Sequence, residues 1–139
     1  MKKILLLSLI FVLVLSLFGC NTVDAEGLWQ DATYRHDKTF GKGDTEITLV
    51  VEAGGESVTF TVRTDKTNLA DALTEHGIVS GEVTELYGLS VYTVNGMTAN
   101  WNTDGAYWSL YVGDAYATSG ASFIEITDGA TYKFVYESL

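Results

Sequence analysis

The sequence predicts an α+β protein, in which one helix packs on one face of a mixed, mostly antiparallel sheet. Three observations predict this class: an alternating hairpin over residues 45–62, one amphipathic helix over residues 67–77, and several short strands from residue 86 onward. A hairpin followed by a helix that crosses the sheet is how β-grasp (ubiquitin-like) folds begin. We therefore expect a β-grasp architecture, and the 139 residues suit a single domain.

Residues 1–19 have the pattern of a targeting segment. Lys2 and Lys3 precede an apolar run from Ile4 to Phe18, which is shorter than the roughly 20 residues of a membrane-spanning helix. Gly19 stands before Cys20, the only cysteine of the chain. The pattern is similar to a bacterial lipoprotein signal that is cut before a lipidated Cys20, and the alternative is an ordinary secretory signal. The first interpretation places the protein, lipid-anchored, on the extracellular side of the bacterial cytoplasmic membrane.

The charge balance narrows the choice of partners. The formal net charge is −10, and removing the two lysines of the signal makes it −12 (−10 − 2). An acidic surface repels nucleic acid and anionic headgroups, so neither is an expected partner. Residues 20–27 are predicted to be the lipidated cysteine and a tether, and residues 28–139 the folded domain.

The first half of the domain contains the predicted hairpin. Residues 28–34 are expected to form a first strand or an ordered arm, and residues 35–44 a loop. Residues 45–52 alternate and continue through a Gly54-Gly55 turn into a return strand. One face of this hairpin carries Ile47, Leu49, Val51, Val58, Phe60 and Val62.

A helix is predicted after the hairpin. Thr67 can cap it, and Gly77 follows as the residue that ends it. Leu69 and Leu73 are four residues apart and share one face with Ala70 and Ala72, so this face should lie on the sheet. An acidic connection over residues 80–85 is expected to follow.

Aromatic residues and turn signals are concentrated between Leu86 and Val112. Asn95-Gly96 between apolar runs predicts a type I′ hairpin turn, and residues 102–105 predict a second turn. We expect consecutive antiparallel strands here, and then a Gly113-Asp114 turn with a short return. Phe123, Ile124 and Ile126 lead to an Asp128-Gly129 turn, and Tyr132, Phe134 and Tyr136 alternate along a last strand.

Signals for catalysis or metal binding are sparse. His36 and His76 lack the spacing of a metal site, and Gly41 to Asp44 lacks the full phosphate-loop pattern. Asn102, Asp104 and Asp128 are better explained as turn residues than as calcium ligands. The sequence therefore predicts a protein that is not an enzyme and that holds no cofactor or metal.

The aromatic residues are the main candidate for a binding surface. Strand alternation sends Tyr107 and Trp108 to opposite faces, so both faces of this strand are aromatic. Such side chains suit a flat, partly polar ligand or a protein patch. For any single aromatic residue, packing within the sheet is the competing interpretation.

A family resemblance rests on the same residues. The run Tyr87-Gly88-Leu89 to Val94-Asn95-Gly96, then Trp101, and then Gly105-Ala106-Tyr107-Trp108 with Tyr111 resembles the C-terminal domain of transcobalamin and intrinsic factor. It resembles still more the bacterial transcobalamin-like C-terminal domain (the DUF4430 family). Similar positions elsewhere are residues 28–34, Thr64-Asp65, Asn68-Leu69, Ala72-Leu73, Asp128-Gly129 and Tyr132.

The resemblance implies a β-grasp-like domain that, in the animal carriers, closes over a corrinoid together with a helical domain. It also implies that the loop after the Tyr-Trp strand, here residues 116–123, faces the ligand. This sequence has no helical domain, and neither histidine can be carried over as a cobalt ligand. The ligand-binding residues predicted from the aromatic surface and the resemblance are Tyr87, Asn95, Trp101, Tyr107, Trp108, Tyr111, Tyr116, Thr118, Ser119 and Gly120.

Two functions are compatible with these features. The first is a surface-anchored lipoprotein that captures a small flat ligand such as cobalamin or another corrinoid and delivers it to a membrane transporter. The second is a protein–protein interaction or structural module of the cell envelope that binds no corrinoid.

Overall fold

The computed structural model describes residues 21–139, so the predicted signal peptide and lipidated Cys20 lie outside the described residues. Within them, no helix is long and apolar enough to cross a membrane. The chain is mostly sheet with two short helices, which confirms the α+β class. Its elements are β1 Lys38–Phe40, β2 Thr45–Ala53, β3 Glu56–Thr64, α1 Leu69–Thr74, β4 Val79–Thr84, β5 Gly88–Val94, β6 Met97–Thr98, α2 Trp101–Asp104, β7 Ala106–Val112, β8 Ala115–Tyr116 and β9 Thr131–Ser138.

The strands form two sheets. The larger has the order β1-β3-β2-β9-β7-β8, and the smaller has the order β4-β5-β6. The last strand, β9, lies between β2 and β7, parallel to the first and antiparallel to the second. The C-terminal strand is therefore paired between the first strand of the hairpin and β7 in the middle of the larger sheet.

The predicted hairpin is confirmed, with β2 and β3 antiparallel and joined at Gly54-Gly55. Its apolar face is fully buried, and it packs on α1, whose Leu69 and Leu73 are also fully buried. Burying one such side chain contributes about 1.5–3 kcal/mol. The last strand adds Tyr132 and Phe134 to the same core.

The helix is capped by Asn68, not by Thr67 as the sequence predicted. The Asn68 side chain accepts a hydrogen bond from the Asp71 amide at 2.9 Å. Asparagine and threonine both serve as caps, so neighbouring candidates cannot be told apart without the backbone geometry. The predicted end is confirmed, because Gly77 has a φ of 68° and the Ile78 amide donates to the Leu73 carbonyl.

The N-terminal part is more ordered than predicted. Residues 21–27 pack on the body, with Val23 buried and its amide bonded to the Arg35 carbonyl. Gly27–Gln30 form a 3₁₀ turn and not a strand, so residues 28–34 match the alternative of an ordered arm, and the Trp29 indole donates to the Ala53 carbonyl at 2.9 Å. Within the predicted loop, β1 pairs parallel to β3 and buries Phe40. Three residues are too few for alternation to reveal a strand.

The aromatic stretch is divided between the two sheets, contrary to the prediction of consecutive antiparallel strands. The Asn95-Gly96 hairpin joins β5 to β6 in the smaller sheet, with φ values of 51° and 81° that fit the predicted turn. Residues 101–104 then form α2 in place of a β-turn, and β7 pairs with β9 in the larger sheet. Residues 80–85 were predicted to be an acidic connection, but most of them form β4. This strand pairs with β5 and is exposed from Ser80 to Thr84.

Candidate functional site

A cleft of about 450 Å³ opens between β5 of the smaller sheet and β7 of the larger one, with the 116–123 loop as its third wall. We call it the aromatic cleft. This volume lies within the 300–1,000 Å³ that is usual for small-molecule sites. Its lining residues are Tyr87, Leu89, Ser90, Val91, Trp108, Leu110, Tyr116, Ala117, Ser119, Gly120, Ala121, Phe123 and Phe134.

Hydrogen bonds hold the 116–123 loop in place. The Ala117 amide donates to the Leu110 carbonyl on β7, and the Leu89 amide of β5 donates to the Ser122 hydroxyl at 3.0 Å. Beyond the loop, the Leu69 amide at the start of α1 donates to the Ile124 carbonyl. The loop is thus attached to both sheets and the helix, so a ligand in the cleft would not have to order it.

Trp108 forms the floor of the aromatic cleft. Its indole N–H donates to the Met97 carbonyl at 3.2 Å, which links the larger sheet to the smaller one. The ring packs edge-on against Tyr136 with centroids 5.3 Å apart, and only 8% of the residue is exposed. Because the polar group of Trp108 is already bonded, its remaining exposed surface offers a ligand an apolar face.

The rim of the aromatic cleft carries exposed aromatic side chains. Tyr87 is 67% exposed, Tyr116 is 62% exposed and Phe123 is 58% exposed. Among the residues that the structure describes, no charged side chain lines the cleft. Aromatic and aliphatic walls with a few hydroxyl groups suit a neutral, largely apolar ligand that stays partly exposed to solvent.

Five of the ten predicted ligand-binding residues line this cleft: Tyr87, Trp108, Tyr116, Ser119 and Gly120. Thr118 lies in the same loop but does not line the cleft. The cleft thus brings together residues from both aromatic strands that the sequence places about 20 to 30 positions apart. That they bind a ligand stays a prediction.

The other predicted residues lie elsewhere. Asn95 is 2% exposed, and its amide exchanges two hydrogen bonds with the Tyr34 backbone, so it has a structural role. Trp101 and Tyr107 pack edge-on against each other, with ring centroids 6.1 Å apart, outside the cleft. The Tyr111 ring packs against the Tyr116 ring, and the Lys133 ammonium lies 5.1 Å from the centroid of the Tyr111 ring.

Sequence reasoning missed four apolar residues of the cleft wall. Leu89 and Val91 come from β5, Leu110 from β7 and Phe134 from β9. None of these was predicted as a site residue, because the sequence carries no signal that distinguishes a core position from a cleft wall. Phe123 could have been found, because it ends the 116–123 loop that the family resemblance assigns to the ligand.

The two histidines lie away from the cleft. His36 pairs with Thr22 in an isolated bridge, and the His76 ring packs 5.8 Å from Phe40 with its Nε2 atom 3.7 Å from Glu75. Among residues 21–139, no three His, Cys, Asp or Glu side chains are grouped so that they could hold a metal ion.

One ionisable group on β5 is perturbed. The Tyr92 hydroxyl donates to the Glu82 carboxylate at 3.2 Å across the β4–β5 pair. This hydrogen bond, together with the negative charge of Glu82, raises the pKa of Tyr92 above its usual 10.0. The phenol therefore keeps its proton, and its role as a hydrogen-bond donor, to a higher pH than an ordinary tyrosine.

Comparison with known proteins gives structural neighbours only. No family model matches the chain, and no curated protein matches it. A candidate metal-binding protein from Ruminococcus gnavus ATCC 29149, known from its crystal structure, is 26% identical with a TM-score of 0.64, over 69% of this chain and 99% of that one. Haptocorrin, crystallised in complex with Cbi, is 18% identical with a TM-score of 0.52, over 71% of this chain and 26% of that one. The second likeness shows that the chain shares the fold of the matching part of haptocorrin.

Proposed function

We propose that this chain is a non-catalytic binding protein whose aromatic cleft captures a small flat ligand of the corrinoid type, such as cobalamin. The observation that carries the proposal is the cleft itself, which joins Trp108 and the rim residues Tyr116 and Phe123 without any charged side chain. The haptocorrin neighbour supports the ligand class, because that protein was crystallised with Cbi, cobinamide.

The proposed architecture of the binding domain is a β-grasp fold. Its support is the strand order β3-β2-β9-β7, in which a hairpin is followed by a helix and the last strand enters beside the first strand of the hairpin, parallel to it. This arrangement places β7 and its Trp108 on the side of the sheet that adjoins the smaller sheet. The aromatic cleft then lies where the larger and smaller sheets meet.

The proposed setting is the outer surface of the cytoplasmic membrane. A lipid on Cys20 would tether the domain there, and the short packed segment 21–27 would hold the domain close to the bilayer. The cleft covers one side of a flat ligand, because its rim residues are more than half exposed. A ligand held on one side can be passed to a membrane transporter without unfolding of the site.

The test is titration of the full chain, purified in detergent, with cobinamide and with cyanocobalamin. Saturable heat at one-to-one stoichiometry and a shift of the corrin absorbance are expected. Since the neighbour from Ruminococcus gnavus is described as a candidate metal-binding protein, Co²⁺ alone is a necessary third titrant. Binding of Co²⁺ in place of the corrinoids would contradict the proposal.

Variants locate the site. Tyr116→Ala and Phe123→Ala remove exposed rim side chains, so both should fold, and each should weaken corrinoid binding about tenfold, which corresponds to about 1.4 kcal/mol. Tyr107→Ala is the matched control, because Tyr107 is a half-exposed aromatic residue outside the cleft. Equal affinities for all three variants would place the ligand elsewhere.

A second candidate function is supported by the end of the β4–β5 hairpin. Val83, Leu86 and Tyr87 are 75%, 72% and 67% exposed and lie close together in the chain. Exposed apolar side chains in a group are typical of protein-binding surfaces. In this proposal the chain is an interaction module of the cell envelope, and cross-linking on intact cells should join this hairpin to an envelope protein when no corrinoid is present.

A further inference from the structure

A second concavity, of about 430 Å³, lies beside α2 and shares no residue with the aromatic cleft. We call it the Trp101 pocket, and its lining residues are Tyr92, Thr98, Ala99, Asn100, Trp101 and Asn102. We propose that this pocket binds a neutral sugar, with a pyranose ring stacked on the Trp101 indole. The proposal is independent of the function assigned to the aromatic cleft.

The exposure of Trp101 is the first observation. This residue is 57% exposed, whereas Trp29 and Trp108 are 3% and 8% exposed. The fold therefore gains little from the apolar area of Trp101. Exposed aromatic surface next to a concavity is characteristic of ligand contact more than of core packing.

Trp101 is also held in a fixed position. The Asn100 side chain accepts hydrogen bonds from the Asn102 and Thr103 amides, at 3.0 and 3.2 Å, and this caps α2. Gly105 ends the helix with a φ of 59°, and the Tyr107 ring supports the indole edge-on. A rigid aromatic platform loses little conformational entropy on binding, so even a small contact area yields measurable affinity.

The chemistry of the lining residues selects the ligand class. A pyranose ring has a face of C–H groups, which is attracted to the negative face of an aromatic ring, and a rim of hydroxyl groups. The amides of Asn100 and Asn102 supply both donors and acceptors for such hydroxyl groups, while the Thr98 hydroxyl is already paired with the Thr93 hydroxyl at 2.8 Å. The cap uses Oδ1 of Asn100, and the two N–H donors of its Nδ2 take no part in the cap.

The charges of the chain disfavour an anionic ligand. A net charge of −10 repels anions, and within the described part of the chain no Lys, Arg or His lines the Trp101 pocket. The carboxylate beside Tyr92 is that of Glu82, which already accepts the Tyr92 hydroxyl. A quaternary ammonium could use the same aromatic faces but would leave the two amides without a role. Choline is therefore the competing ligand in the test.

The test uses the full chain in a polyoxyethylene detergent, because this headgroup contains no sugar. The probes are N-acetylglucosamine tetramer and cellotetraose, and the readout is acrylamide quenching of tryptophan fluorescence. Since Trp29 and Trp108 are buried, Trp101 should account for most of the quenching. Saturable protection by at least one tetrasaccharide at millimolar concentration is expected, and protection by choline alone, or by neither sugar, would overturn the proposal.

Isothermal titration then compares the variants, because replacing Trp101 removes the fluorescent reporter. Trp101→Ala should abolish sugar binding, and Trp101→Phe, which keeps a smaller aromatic face, should retain weaker binding. Phe123→Ala is the matched control in the aromatic cleft and should bind sugar unchanged. Trp101→Ala should likewise bind corrinoids unchanged, so the two proposals can fail separately. Sugar binding that persists in Trp101→Ala would contradict the proposal that the sugar stacks on Trp101.

Discussion

Asn95 connects the smaller sheet to the N-terminal segment through both its backbone and its side chain. Its amide group donates to the Tyr34 carbonyl at 2.7 Å and accepts from the Tyr34 amide at 2.9 Å, and its own carbonyl accepts from Thr33. Its φ of 51° is one that asparagine tolerates better than most residues. The same residue thus makes the hairpin turn and a long-range connection, which explains why it is buried.

Replacing Asn95 should therefore lower stability. Asn95→Ala leaves two backbone groups of Tyr34 without partners and places alanine at positive φ, so we expect a loss of about 2–3 kcal/mol in the free energy of unfolding. Asn95→Asp keeps the acceptor and the tolerance of positive φ, but it buries a carboxylate oxygen against the Tyr34 carbonyl, so at neutral pH it should lose at least as much. Urea denaturation of the full chain measures both. A loss below about 0.5 kcal/mol for Asn95→Ala would mean that this connection contributes nothing.

The hydrogen bond between Tyr92 and Glu82 should make the stability of the protein depend on pH. The raised pKa of Tyr92 means that the folded state favours the protonated phenol, chiefly through its hydrogen bond to Glu82. This stabilisation is fully present below the usual pKa of tyrosine and is lost as the pH rises through the raised value. Glu82→Gln should lower the pKa of Tyr92 toward 10.0. Phenolate absorbance, with Tyr92→Phe subtracted, measures the change, and an unaltered pKa would contradict the pairing.

At the scale of elements, the shape of the aromatic cleft depends on how closely the 116–123 loop approaches β5. Gly88 begins β5 with a φ of 64°, and a Cβ atom there would lie 2.5 Å from the Cβ of Ser122. The neighbouring Leu89 amide donates to the Ser122 hydroxyl. A side chain at position 88 would therefore push the loop away from the strand and break this hydrogen bond.

Gly88→Ala tests this close approach, with Gly113→Ala as the matched control. Gly113 has a similar φ of 58° in the β7–β8 turn, and a Cβ atom there would meet nothing within 4 Å. The control should cost only the backbone strain, about 1–2 kcal/mol, while Gly88→Ala should cost more and should also weaken corrinoid binding. Urea denaturation and hydrogen exchange of the Leu89 amide measure the two effects. Equal stabilities and equal exchange rates for the two variants would show that the 116–123 loop can move away from β5 at no cost.

At the scale of the whole molecule, acidic residues outnumber basic ones by 18 to 8. Among the described residues, one ammonium–carboxylate ion pair is present, Lys133 with Glu52. Most carboxylates are therefore unpaired on the surface and repel one another. Repulsion of this kind destabilises the compact state and is reduced by salt.

Raising NaCl from about 0.01 M to about 0.15 M shortens the Debye length from about 30 Å to about 8 Å. We expect the melting temperature to rise by a few degrees and then to level off. Corrinoid affinity should change little, because no charged side chain lines the aromatic cleft in the described chain. A melting temperature that does not rise, or that keeps rising linearly into molar salt, would indicate that charge repulsion is not the cause.

The sequence by itself determined the features that depend on local pattern. Alternation in β2 and β3, the Leu69–Leu73 face of α1 and the φ requirement at Asn95-Gly96 each involve residues close together in the chain. Trp108 lines the aromatic cleft for a related reason, since alternation correctly sent Trp108 and Tyr107 to opposite faces of β7.

Only the tertiary structure decided which strands became neighbours. β4 is exposed from Ser80 to Thr84 and β1 has only three residues, so burial of an alternating face does not define either strand. Both are strands because a neighbouring strand offers them hydrogen bonds. The division of the aromatic stretch between two sheets follows from β9, which pairs with β7 from about 25 residues further along the chain. That pairing separates Trp101 from Trp108 and creates two concavities in place of one continuous surface. Long-range pairing depends on burial and hydrogen bonding summed over the whole molecule, and a local pattern cannot encode it.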